Sequence, residues 1–72
     1  MLSIRASIIG EDRVLVTLTE HLSVTEERSR SFEARYRLVP PPGAPSRFSG
    51  IPPFEPELRH AIKARIIAAL AS

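Results

Sequence analysis

The sequence predicts an α+β domain: a three-stranded antiparallel meander, strand order 1-2-3, packed on one face by a C-terminal helix. Three observations predict it. Residues 2–39 alternate between apolar and polar side chains, the period of a half-buried strand. All seven prolines fall between positions 40 and 56. From Pro56 onward the apolar residues recur at helical spacing. The 72 residues therefore read as one small domain, with a β-meander over 2–39, a Pro-rich extended segment over 40–55 and a helix over 56–71.

In the first strand, Leu2, Ile4, Ala6 and Ile8 share one face, and Ser3, Arg5 and Ser7 the other. Gly10-Glu11-Asp12 is a turn signal. In the second strand, Val14, Val16, Leu18, Leu22 and Val24 share a face opposite Arg13, Thr17, Thr19, His21 and Ser23. The polar run from Thr25 to Arg28 reads as the second turn. In the third strand, Phe32, Ala34, Tyr36 and Leu38 alternate with Ser31, Glu33, Arg35 and Arg37. One apolar and one polar face mark an antiparallel sheet with one side in water.

The even-numbered apolar set constrains register, because a one-residue slip turns it to solvent. Pairing strands one and two with position numbers summing to roughly 22 sets Ile8 across from Val14, Ala6 from Val16 and Ile4 from Leu18. A sum of about 54 between strands two and three sets Leu22 across from Phe32, Leu18 from Tyr36 and Val16 from Leu38. It also places His21 beside Glu33, and Leu15 beside Val39, on the outer face. Glu20 falls on the inner face between Leu2 and Ala34. A lone buried carboxylate is costly, so Glu20 takes a helix arginine (Arg65 or Arg59), reaches water at the sheet end, or marks a bulge.

Pro40-Pro41-Pro42 ends the third strand, since proline cannot donate to the ladder. Beyond it, Phe48, Ile51 and Phe54 recur every third residue and share one face of a polyproline II strand. This strip either caps the domain's own core or anchors a partner.

The residue before a proline avoids the helical region, so Glu55 is the N-cap and Pro56 opens the helix. Glu55 and Glu57 complement the positive end of the helix dipole. Leu58, Ile62, Ile66, Ala69 and Leu70 form one stripe, expected to cover Ile4, Val16, Leu18, Tyr36 and Leu38. Ile67 lies nearly opposite the stripe, beside His60.

Composition narrows the function. The chain has no cysteine and two histidines, His21 and His60, which excludes disulfides and thiolate metal sites. Its longest apolar run, Ile66 to Ala71, is far short of the ~20 residues of a membrane span. The N-terminus lacks the apolar block of an export signal, so a cytoplasmic protein, or one incorporated in an assembly made there, is expected. Residues 1–39 balance six acids with six bases, and the net charge of +2 arises in residues 40–72. Nine of the ten bases are arginine, the residue suited to bidentate contacts at interfaces and phosphates.

No nucleophile elbow, zinc-binding histidine pair or Gly-rich phosphate loop is present. A non-enzymatic chain without cofactor or metal is expected. The surfaces point to a small structural or adaptor subunit that associates with other protein chains, as a homo-oligomer or as part of a larger assembly such as a phage virion, without a membrane partner. Its expected protein-binding residues are Phe48, Ile51, Phe54, Ile67, Leu15 and Val39. The alternative is a small nucleic-acid-binding regulator that uses Arg5, Arg35, Arg37, Thr17 and Thr19 on the outer sheet face, or the basic helix.

Overall fold

A computed structural model of the protein describes residues 1–38 and 45–71. Four strands and a helix follow in order: β1 (Leu2–Ile8), β2 (Arg13–His21), β3 (Glu27–Leu38), β4 (Pro45–Ser49) and α1 (Pro56–Ala71). The strands form one antiparallel sheet in the order β1-β2-β3-β4. The α+β class and the C-terminal helix agree with expectation. The sheet has four strands where three were expected, because Pro45–Ser49 pairs with the end of β3 instead of running as a polyproline strip.

The β1–β2 register matches the sequence expectation: Ile4 faces Leu18, Ala6 faces Val16 and Ile8 faces Val14. The β2–β3 register does not. Val16 faces Phe32 and Leu18 faces Arg30, so Tyr36 is not the neighbour of Leu18. The cause is the turn. β2 ends at His21, and the backbone N–H groups of Leu22 and Ser23 both donate to the Glu26 carbonyl, at 3.0 and 3.1 Å. The Ser23 hydroxyl accepts from the Glu26 and Thr25 N–H groups, at 3.0 and 3.3 Å. A serine folding back on its own backbone competes with the ladder. The chain therefore reverses earlier than expected, and β3 starts at Glu27. Leu22 and Val24 sit in this turn and are exposed; they do not belong to the apolar face.

The core is Val14, Val16, Leu18, Ala34 and Tyr36 from the sheet, with Ile62 and Ile66 from the helix. Ile4, Ala6, Phe32, Phe48, Ile51, Phe54, Leu58 and Leu70 pack around it, partly buried. The four largest fully buried side chains, Val14, Val16, Ile62 and Ile66, each contribute roughly 1.5–3 kcal/mol of burial energy. The helix begins as expected. The Arg59 N–H donates to the Glu55 carbonyl at 3.0 Å, which makes Glu55 the N-cap. No helix among the described residues is long and apolar enough to cross a membrane.

Glu20 reaches water. It is exposed at the end of the sheet, across from Leu2 on one side and Arg28 on the other. The ladder runs through Glu20 without a bulge; the one irregularity of register among the described residues lies between Arg37 and Leu38. Among the described residues it forms no ion pair with Arg65 or Arg59.

β4 seats the connection to the helix. Tyr36 faces Phe48 on the inner side of β3–β4. Beyond β4, Gly50 passes the backbone of Glu33 and Ala34, and Phe54 reaches the Phe32 ring with centroids 5.9 Å apart. The Arg30 guanidinium stacks 4.8 Å over the Phe54 ring. The Lys63 ammonium lies 5.8 Å over that of Phe48.

Candidate interaction surfaces

Two surfaces stand out: the free edge of β1, and the sheet face that the helix leaves open.

β1 is an edge strand, paired only with β2 among the described residues. The His21 N–H donates to the Met1 carbonyl at 2.8 Å, and the Ile9 N–H to the Arg13 carbonyl at 3.1 Å. In an antiparallel ladder, residues alternate in which neighbour their backbone groups face. The odd-numbered residues of β1 therefore turn their N–H and C=O groups to β2. Leu2, Ile4, Ala6 and Ile8 turn theirs to the open edge. Beneath this edge runs a groove of about 360 Å³ between β1 and the helix flank, lined by Ile4, Arg5, Ala6, Arg65, Ala68 and Ala69. Leu2 and Ile8 at the two ends of β1, and Ile9 just beyond, stay roughly half exposed.

The opposite edge is guarded. β4 is five residues long and opens with Pro45, and Arg47 is its central residue. Short length, proline and charge are devices that discourage edge pairing. β1 is seven residues long, contains no proline and carries a single charge, Arg5.

The open face is polar. Hydroxyl pairs cross it: Thr17 Oγ1 to Ser31 Oγ and Thr19 Oγ1 to Ser29 Oγ, each 3.0 Å. Arg13 grips Glu33 through two hydrogen bonds, Nε to Oε2 at 3.1 Å and a terminal nitrogen to Oε1 at 2.7 Å. The bond from Arg13 holds the Glu33 carboxyl below its usual range, and the bond to Glu33 raises Arg13 in turn. His21 does not sit beside Glu33. It faces Glu27, with Nδ1 3.4 Å from the carboxylate, and its Nε2 lies 3.4 Å from the Ser3 hydroxyl. Leu15 lies across from Ser7 and Glu33; its expected neighbour Val39 falls outside the described residues.

Arginines gather on the same face, in positions that sheet energetics disfavours. Arg13 faces Arg35 across β2–β3, and Arg37 faces Arg47 across β3–β4. Like charges directly opposite are destabilising. Arg5 lies two strands away on the same face, across from Thr17. Glu11 and Asp12, in the β1–β2 turn, border a groove of about 750 Å³ with Arg35, Arg37, Arg47 and Ser49.

The structure distributes the expected protein-binding residues. Phe48, Ile51 and Phe54 are half-buried and pack on the chain's own core. Ile67 is exposed on the outer side of the helix and Leu15 on the open sheet face, so the two do not share a surface. Arg5, Arg35, Arg37, Thr17 and Thr19 do share one face. Arg13 and Arg47 join them there, and both were missed. Alternation along the second strand puts Arg13 on the face of Thr17 and Thr19, whereas Arg47 lies in a segment whose prolines conceal a strand. Among the described residues, no group of three His, Cys, Asp or Glu side chains is placed to hold a metal ion. Compared with protein-family models, with characterised proteins and with solved structures, the chain matches none.

Proposed function

We propose that the chain is a small non-catalytic subunit that associates by strand addition at β1, its first partner being a second copy of itself. The unguarded β1 edge carries this reading. Its outward backbone groups are a template for another strand, and the groove beside it accepts alternate apolar side chains from that strand. The pattern of β1 is also symmetric: apolar, Ser, apolar, Arg, apolar, Ser, apolar from Leu2 to Ile8. Two such strands laid antiparallel form a two-fold pair that sets apolar residues across from apolar ones and polar across from polar.

Register follows from charge. Pairing centred on Arg5 opposes two arginines. A shift of two residues, centred on Ala6, keeps every side chain on its proper face. It places Arg5 across from Ser7 of the second copy and Ile4 across from Ile8. The product is a continuous eight-stranded sheet with both helices on one side.

Ala6→Pro tests this directly. The Ala6 N–H faces the open edge, so proline there leaves the β1–β2 ladder whole and blocks the added strand. Light scattering should give the wild type twice the 8.0 kDa of one chain, and Ala6→Pro a single chain with cooperative unfolding. If Ala6→Pro does not fold, Ile8→Glu, at an exposed position, serves the same purpose. A wild type that stays at one chain mass in concentrated solution, or an oligomer untouched by both substitutions, overturns the proposal.

A further inference from the structure

We infer that the groove at the helix start, on the core face of the sheet, is a binding site for a small amphipathic monocarboxylate: an unbranched apolar chain ending in one carboxylate, with Arg30 receiving the head group. The site is complete within a single chain and lies on the inner face of the sheet, so it goes beyond the pairing proposed for the β1 edge. The groove has a volume of about 390 Å³, at the lower end of the roughly 300–1,000 Å³ common to ligand sites. Leu2, Leu18, Phe54 and Leu58 give it apolar walls. Glu20, Arg28 and Arg30 give it a charged rim. The helix contributes only Leu58, from its first turn, so the sheet is left uncovered here.

Arg28 and Arg30 break the pattern of their strand. Leu18 faces Arg30 and Glu20 faces Arg28, in the same alternation that sets Val16 against Phe32 and Val14 against Ala34. Both arginines therefore stand on the face that carries the core further along β3. Local rules are broken most often at working sites. Among the described residues, Glu20 is the one carboxylate that lines the groove, which leaves a surplus of positive charge there. Neither arginine forms an ion pair among the described residues.

Arg30 is positioned in advance. Its guanidinium stacks over Phe54, 4.8 Å from the ring centroid, and Phe54 is itself fixed against Phe32. A guanidinium held by its flat face keeps the N–H donors of its edge, and that fork matches the two oxygens of a carboxylate. The apolar chain of the ligand then covers Leu2, which is 46% exposed, together with Leu18 and Leu58, and removes apolar surface from water. Glu20 repels a second negative charge, so a single carboxylate fits this rim better than a phosphate monoester.

The experiment is a calorimetric titration of the full chain with octanoate below its micellar range, beside octan-1-ol and octylammonium, which keep the tail and change the head. Octanoate should bind saturably and more tightly than either, and should move the backbone amide resonances of Leu18, Arg30 and Phe54. Arg30→Gln should weaken octanoate about tenfold or more and leave octan-1-ol unchanged. Arg30→Lys, which keeps the charge and loses the fork, should fall between. Glu20→Gln should tighten octanoate. Arg5→Gln, on the opposite face, should change nothing. Absence of saturable octanoate binding overturns the inference, as does equal affinity for octylammonium or an octanoate affinity that Arg30→Gln leaves untouched. An equal loss in Arg5→Gln assigns binding to net charge and overturns it too. Should Arg30→Gln not fold, Glu20→Gln decides, and an octanoate affinity that fails to rise there is the overturning result.

Discussion

Gly50 passes so close to Glu33 that a Cβ built on it would lie 2.9 Å from the Glu33 carbonyl oxygen. Its φ is +82°, a conformation that side-chain-bearing residues rarely adopt. This one contact lets the chain leave β4 and run beside β3 toward the helix. Gly50→Ala should therefore destabilise the domain by about 1–3 kcal/mol in urea denaturation. Gly10 provides the control. A Cβ there meets only the Arg13 side chain, at 3.6 Å, and φ is not positive. Gly10→Ala should be neutral or stabilising by up to roughly 1 kcal/mol. Equal losses at the two sites would refute the close approach.

Ile66 and Ile67 are adjacent in sequence and opposite in environment: Ile66 is fully buried and Ile67 is 46% exposed. Ile66→Ala should cost about 2–5 kcal/mol, a large part of the stability of a domain this small. Ile67→Ala should change stability by no more than about 0.5 kcal/mol. A reversed order in thermal melts would mean that the helix packs on its other face.

Arg30 and Phe54 are coupled through their stacked contact, 4.8 Å from guanidinium carbon to ring centroid. Phe54→Ala should destabilise through lost packing on Phe32 as well as through this contact. A double-mutant cycle with Arg30→Ala should isolate about 0.5–1 kcal/mol for the cation–ring pair. A coupling energy near zero would show that Arg30 contributes only as an exposed charge.

Glu33 gives the fold a small pH dependence with a definite sign. Its carboxyl is held below the ordinary value, about 4.3, first by the hydrogen bond from Arg13. Stability from the depressed group is complete above that value and is lost as pH falls through the lower folded-state value. Glu33→Gln should therefore melt lower than wild type at pH 7, with the gap closing in acid below the carboxylate range. Both partners are well exposed, side chains 45% and 38% accessible, so the gap is small and shrinks with added salt. A gap that widened in acid would contradict this sign.

Face assignment was legible throughout the sheet. Ile4, Val16, Leu18, Ala34 and Tyr36 point inward as their alternation requires, and Arg5, Thr17, Thr19, Arg35 and Arg37 point outward. Alternation, however, defines register only to within two residues. Shifting β3 along β2 by an even number leaves every side chain on its proper face, so the pattern could not separate Leu18–Tyr36 from Leu18–Arg30. Ser23 decided that, by accepting from the Thr25 and Glu26 N–H groups. The fourth strand is not legible in the sequence because proline density obscures a short alternation, Ser46 to Ser49, whose ladder partner among the described residues is β3.

By itself the sequence determined the elements whose cause is local. The helix runs from Pro56 to Ala71 because a proline after Glu55 and a periodic apolar stripe define it within its own residues. β1 meets β2 in register because a short turn with Gly10 allows few alternatives. The tertiary structure alone decided what depends on residues far apart in the chain. β4 forms because Tyr36 has an inner-face partner in Phe48, and the Pro-rich segment seats because Gly50 can approach Glu33. The arginines become one surface only when β2, β3 and β4 lie side by side. No single segment carries that charge density. It arises from the register of three strands, and register is set by turns and packing that a pattern of alternating residues does not contain.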